Sequence, residues 1–169
     1  MGFPFKLKQM DMLLDGLGHL AETEEVTIPK LVIKTEDWRG GGMIGPVPID
    51  MGLDKLEFEF SMGGLIQAAL AQFGATSLAS TLVRFVGAYQ DDLTGAVKTA
   101  EVVCMGRYTE IDFGNAKPGD NSTHKYKVAC SYYRLIVDGV DWIEIDLINM
   151  VFIVMGVDRY AEIRAALGR

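Results

Sequence analysis

The sequence is poor in the residues that most chemistry needs. It carries two cysteines, Cys104 and Cys130, and two histidines, His19 and His124, in 169 residues. Neither cysteine belongs to a CxxC pair or to a Cys/His spacing that would hold zinc. Both sit in strand-like apolar runs, which reads as buried free thiols in a reducing compartment. Neither histidine stands in a motif, and no GxSxG elbow advertises a nucleophile. The five prolines form no linker. Nothing Ser-rich or repetitive could serve as one either, so the chain reads as a single domain, 1–169. Long apolar runs are missing too. The longest lies between Asp146 and Asp158, is broken by Asn149 and Gly156, and falls short of the roughly 20 residues that span a bilayer. No membrane insertion is expected. From Met1 to Leu20, Asp11, Asp15 and several Gly break up any signal-like run, so a product that is cytoplasmic when made is expected. Cations are outnumbered, 16 Lys and Arg against 23 Asp and Glu, for a net charge of -7. Such a chain has little with which to displace counterions from a phosphate backbone. An acidic surface would let DNA pass without sticking.

Apolar residues, in contrast, make up 49% of the chain, and the mean hydropathy is +0.18. A compact core explains this, as does burial of a second layer of surface against further copies of the chain. The punctuation is that of a β-rich protein. Lys8 to Leu14 reads as a strand closed by the turn pair Asp15-Gly16, and Glu25 to Lys34 as a second extended stretch with Pro29 at an edge or bulge. Arg39 to Pro46 is so dense in Gly that a long loop is expected, at about 39–48. In LDKLEFEFS, Leu56, Phe58 and Phe60 alternate with Lys55, Glu57 and Glu59, the pattern of a strand with one buried and one wet face.

From Gly63 to Phe73 the period becomes helical, with Gly74 placed to end it. Three long strands then follow, Thr81 to Tyr89, Val97 to Phe113 and Thr123 to Val137. A second long loop separates the last two, at 114–122. Asp138-Gly139 turns the chain into Val140 to Asp146, and a short helix is expected over Val157 to Leu167. The fold class is α+β, mainly β: an antiparallel barrel or sandwich with one flanking helix and a short C-terminal helix.

Several segments imitate functional motifs and fail on chemistry. GGGMIG lacks the Lys-Ser/Thr of a phosphate loop and does not lead from strand to helix. Asp138, Asp141, Glu144 and Asp146 cluster on the last hairpin without the spacing of a calcium loop, and read as a solvated face. Asn121-Ser122-Thr123 marks a surface loop. Trp38 and Trp142 suit either an interface or the core. No catalytic residue, cofactor or metal is expected, and the chain does not read as an enzyme. A small β-barrel that binds a ligand in a roomy pocket is the alternative of a different class.

Five blocks, in order and at matching spacing, carry a resemblance over nearly the whole chain. They are MDMLLDG (10–16), the run from Ile28 to Gly64, RFVGAYQDD (84–92), GRYTEIDFGNAKPGD (106–120) and the run from Ser131 to Arg159. The chain resembles the major tail tube proteins of contractile-tailed (myovirus) phages, including the tube subunits of R-type pyocins. The resemblance implies a β-barrel-like fold with a flanking helix. It also implies hexameric rings stacked into a hollow tube inside a sheath, driven through the host envelope as a conduit for DNA. The partners implied are further copies of the chain, the sheath protein, and baseplate and tail terminator proteins, with DNA passing through the lumen unbound. The location implied is the tail tube of the virion; a phage-derived bacteriocin or injection particle would use the same subunit chemistry. Within that picture Glu57 and Glu59 are candidate lumen-facing acids, with the outside of the tube or ion pairs to Lys125 and Lys127 as the other readings. Arg39, Gly40, Gly41, Gly42 and Met43 are candidates for an inter-ring loop.

Overall fold

The computed structural model describes residues 2–169. The N-terminal hairpin pairs β1 (Phe5–Leu14) with the two-residue β2 (Leu17–Gly18). Its turn, Asp15-Gly16, has both residues at positive φ (48° and 83°), the geometry whose twist matches that of the flanking strands. The extended stretch expected over Glu25 to Lys34 is instead two strands of different sheets, β3 (Thr23–Thr27) and β4 (Ile33–Trp38). Pro29 lies in the break, where its missing N–H costs no ladder bond. β4 pairs with β5 (Val47–Leu53) in a separate two-stranded sheet, so the glycine-rich run is the tip of a hairpin and Val47 and Pro48 are already in the strand.

β6 (Leu56–Met62) lies between β3 and the first half of a later strand, β9 (His124–Val137), and buries Leu56, Phe58, Phe60 and Met62, as its alternation requires. The helix expected over Gly63 to Phe73 is a single turn, α1 (Gln67–Leu70). Its N-cap position is Ile66, which makes no side-chain capping bond, and the first turn has no acid. A helix without a cap does not repay its nucleation. Ile66 and Ala69 reach the core while Leu65 and Phe73 remain outside.

The meander follows: β7 (Thr81–Asp91), β8 (Val97–Asp112), β9 (His124–Val137), β10 (Val140–Asp146), β11 (Val151–Val154) and β12 (Val157–Asp158). The last hairpin turns at Met155-Gly156, again at positive φ (49° and 80°). Methionine there gives the sequence no turn signal. The C-terminal helix is shorter than expected, α2 (Ala161–Ala166), because Val157 and Asp158 pair with β11.

Ten strands form one sheet that is folded over on itself. The fold is made by the two long strands. The N-terminal half of β8 pairs with β7, and its C-terminal half continues beyond the end of β7. The first half of β9 pairs with β6 and the second half with β10. At the changeover Met105 faces Tyr132 but Gly106 faces Cys130, which leaves Ser131 as an extra residue in β9. Such a bulge bends the strand and raises its twist. Ser131 Oγ donates to the Leu78 carbonyl (3.0 Å), and its own carbonyl accepts from Leu147 N–H (3.0 Å). A small sheet, β3-β6-β9-β8, thereby closes over a larger one, β8-β9-β10 with β7 and β1. Between them lie Met12, Leu14, Phe58, Val83, Phe85, Val102, Tyr126, Val128 and Ile145. Phe60 and Tyr126 stack at 4.9 Å, and Tyr108 meets both rings edge-on. Cys104 and Cys130 are both buried as free thiols.

Candidate functional site

The outer face of the small sheet is a charge ladder set by register. Residues directly opposite in antiparallel strands share a face. One row across the four strands reads Thr27, Glu59, Lys127, Glu110; the next reads Glu25, Ser61, Lys125, Asp112; a third has Glu57, Ala129 and Arg107. Both candidate acids are therefore on one wet surface. Lys127 Nζ is 3.1 Å from Glu59, and Lys55 Nζ is 2.9 Å from Glu57. The hydrogen bond from Lys55 lowers the pKa of Glu57, and that to Glu59 raises the pKa of Lys127. The pairs do not neutralise the face: Glu25, Glu57, Glu59, Glu110 and Asp112 outnumber Lys55, Arg107, Lys125 and Lys127 by one. Glu25, Glu110 and Asp112 join the surface only through register, so the sequence alone did not point to them.

Among the described residues both borders of this small sheet are unpaired. β3 pairs with β6 alone, and the stretch of β8 beyond Gly106 pairs with β9 alone. Free edges are templates for another strand. Their presence on both sides of one sheet suits a contact repeated from copy to copy around a ring.

The candidate loop residues Arg39 to Met43 are grouped at the tip of the β4–β5 hairpin. Met43 folds back, its Sδ 3.0 Å from Gly40 N, and Arg39 Nε donates to the Met43 carbonyl at 3.4 Å. Ile44 is left 99% exposed, and Trp38 is 60% exposed. Beyond Leu53, which packs on the core at its base, the hairpin is exposed along both strands. Ile33, Val47, Ile49 and Met51 add apolar surface to it. The hairpin is thus an arm with much of its apolar surface open to solvent.

The polar groups elsewhere serve the fold. His19 Nδ1 is 2.5 Å from Glu22, and His124 packs edge-on against Phe113. Burial and the Glu144 carboxylate push the Tyr132 hydroxyl up to about 12. Of the acidic hairpin cluster, Asp141 binds Arg134 through two hydrogen bonds, Asp146 caps the turn at Ile148 and Asn149, and Asp138 accepts from Thr99 N–H. Among the described residues no three His, Cys, Asp or Glu side chains are grouped as a metal site, and no helix is long and apolar enough to cross a membrane.

Residues 4–168 match the profile of the phage tail tube protein FII family. The chain belongs to that family. It is 42% identical to the tail tube protein of Escherichia phage P2 over 99% of both chains, and 39% identical to the major tail tube protein of Serratia phage KSP20 over 99% of this chain and 98% of that one. Its fold is shared with the sheath/tube terminator of an extracellular contractile injection system, PVC, in the extended state. There the TM-score is 0.57 at 9% identity, covering 80% of this chain and 96% of the other. The chain is a structural subunit of the inner tube of a contractile phage tail, a component of the virion.

Proposed function

We propose that this tail tube subunit forms hexameric rings that stack into a hollow tube. The observation that carries the proposal is the pair of free edges on the small sheet, β3 on one side and the end of β8 on the other. Pairing β3 of one copy with β8 of the next extends the sheet around a ring and leaves no edge exposed. The ladder containing Glu57 and Glu59 then faces the bore. Its excess of carboxylates repels a DNA backbone weakly at every ring, so the duplex slides without binding. The glycine-rich tip, Arg39 to Met43, reaches the adjacent ring. The tube is enclosed by a sheath, starts on a baseplate and ends at a terminator, with the chain made in the host cytoplasm and acting without catalysis.

Negative-stain electron microscopy tests this on the purified protein, alone and with native baseplates. Hollow tubes of six-fold cross-section are expected. Baseplates that fail to extend in an excess of subunit would overturn it. A map of the tube with Glu57 and Glu59 turned towards the sheath would overturn the lumen assignment alone.

A further inference from the structure

A second apolar feature lies beside the end of β6 remote from the hairpin. Leu17 of β2, Leu65, Ile66 and Ala68 around α1, and His19 and Glu22 line a shallow hollow of about 490 Å³. Leu65 at its rim is 77% exposed. His19 Nδ1 is held by Glu22, while its Nε2, buried, has no hydrogen-bond partner among the described residues. The hollow is lined mainly by apolar side chains, with Glu22 as its one carboxylate beside His19 and Gln67. The hairpin tip is its complement, apolar at Ile44 with one cation at Arg39.

Strand β6 fixes where the two features stand. The hairpin joins the body just before Leu56, at one end of β6. The hollow adjoins the other end, where Met62 pairs with Thr23 and Gly63 N–H donates to the Glu22 carbonyl. Seven residues of strand at roughly 3.4 Å each put about 20 Å between those ends. Knob and hollow at opposite ends of β6 make a head-to-tail contact, which does not close and so propagates. Resting on the tube reading above, we propose that the hollow around Leu65 and Ile66 receives the Ile44 tip of a second copy in the next ring, with Arg39 paired to Glu22.

Cysteine trapping tests the contact. Ile44→Cys and Leu65→Cys alter exposed side chains, and the native Cys104 and Cys130 are buried. Tubes of the double variant are grown on baseplates under reducing conditions, then oxidised and run on non-reducing gels. A ladder of linked subunits is expected with both cysteines and not with either alone. Tubes that give no ladder overturn the docking while leaving the tube reading intact. Wild-type subunits that never extend a baseplate sink the tube reading and the docking with it. A link from Leu65→Cys alone to a sheath or baseplate chain assigns the hollow to that partner and overturns the proposal. If the double variant does not assemble, Leu65→Asp decides. It is expected to retain the thermal unfolding of the wild-type subunit and to stop elongation, and normal tube growth by Leu65→Asp refutes the contact.

Discussion

Substituting Gly106 tests whether the bulge at Ser131 is what folds the sheet over. A Cβ built on Gly106 would lie 2.0 Å from the Ala129 carbonyl oxygen, 2.8 Å from its carbon and 2.9 Å from the Cys130 Cα. All three are backbone atoms of the strand paired with Gly106, so relief requires β8 and β9 to part at the corner. Overpacking of this kind costs about 3 kcal/mol, the upper part of the usual range. In a domain of this size each kcal/mol moves the melting temperature by about 2–4 °C, so Gly106→Ala is expected to lower it by about 6–12 °C. Two controls separate the corner from a general glycine effect. At Gly87 the added carbon meets the ends of the Tyr89, Leu7 and Phe85 side chains rather than backbone, and the loss should be smaller. At Gly41 nothing lies within 4 Å, and the melting temperature should not move. Scanning calorimetry of the three soluble subunits is the assay. Gly106→Ala melting within about 2 °C of Gly41→Ala would refute the close approach, and with it the account of the corner.

Phe58→Ala empties a fully buried position beside Phe60 and should cost about 3–5 kcal/mol in urea unfolding; a loss below about 1 kcal/mol would mean that the core closes elsewhere. Deleting Gly40 to Gly45 is expected to leave the melting temperature of the subunit unchanged and to abolish tube growth, scored by electron microscopy; tubes of normal length would remove the hairpin tip from assembly. Glu57→Lys with Glu59→Lys should leave tubes intact and slow DNA release, with added salt restoring the rate; an unchanged rate at low salt argues against a lumenal face. Asp158 accepts hydrogen bonds from Arg164, which also donates to the Met150 carbonyl at 2.7 Å, and the Arg164 bond lowers the Asp158 pKa below its ordinary 3.8. Its stabilisation is full above that ordinary value and is lost as the pH falls through the lowered one. Amide exchange in α2 should accelerate selectively below pH 3.8, and protection that is flat with pH would contradict the pairing.

Much of the fold was legible because it depends on local chemistry. Leu56, Phe58 and Phe60 alternate with Lys55, Glu57 and Glu59, and a period of two can bury only one face. Asp15-Gly16 and Asp138-Gly139 take the positive φ that their turn type demands, and those residues tolerate it. The order of such blocks along the chain also carried the family, and hence the tube. Helix length was not local in this sense. The apolar spacing from Leu65 to Phe73 describes a face, but with no cap and with Leu65 and Phe73 left mostly exposed, one turn formed. The glycine run looked like a loop because the strands on either side of it, Ile33–Trp38 and Val47–Leu53, are exposed along most of their length and show no alternation of burial.

The sequence by itself determined β6, the long strands of the meander, the two Asp-Gly turns and the kinship, since each is written in residues within a few positions of one another. Tertiary structure decided which strands carry free edges, that Glu25, Glu57, Glu59, Glu110 and Asp112 share a face, and that the hairpin and the Leu65 hollow stand at opposite ends of β6. Those relations follow from register and from one bend at Gly106 and Ser131. Register couples residues as distant in the chain as Thr27 and Lys127 through Glu59, and no local pattern encodes a distance of that kind.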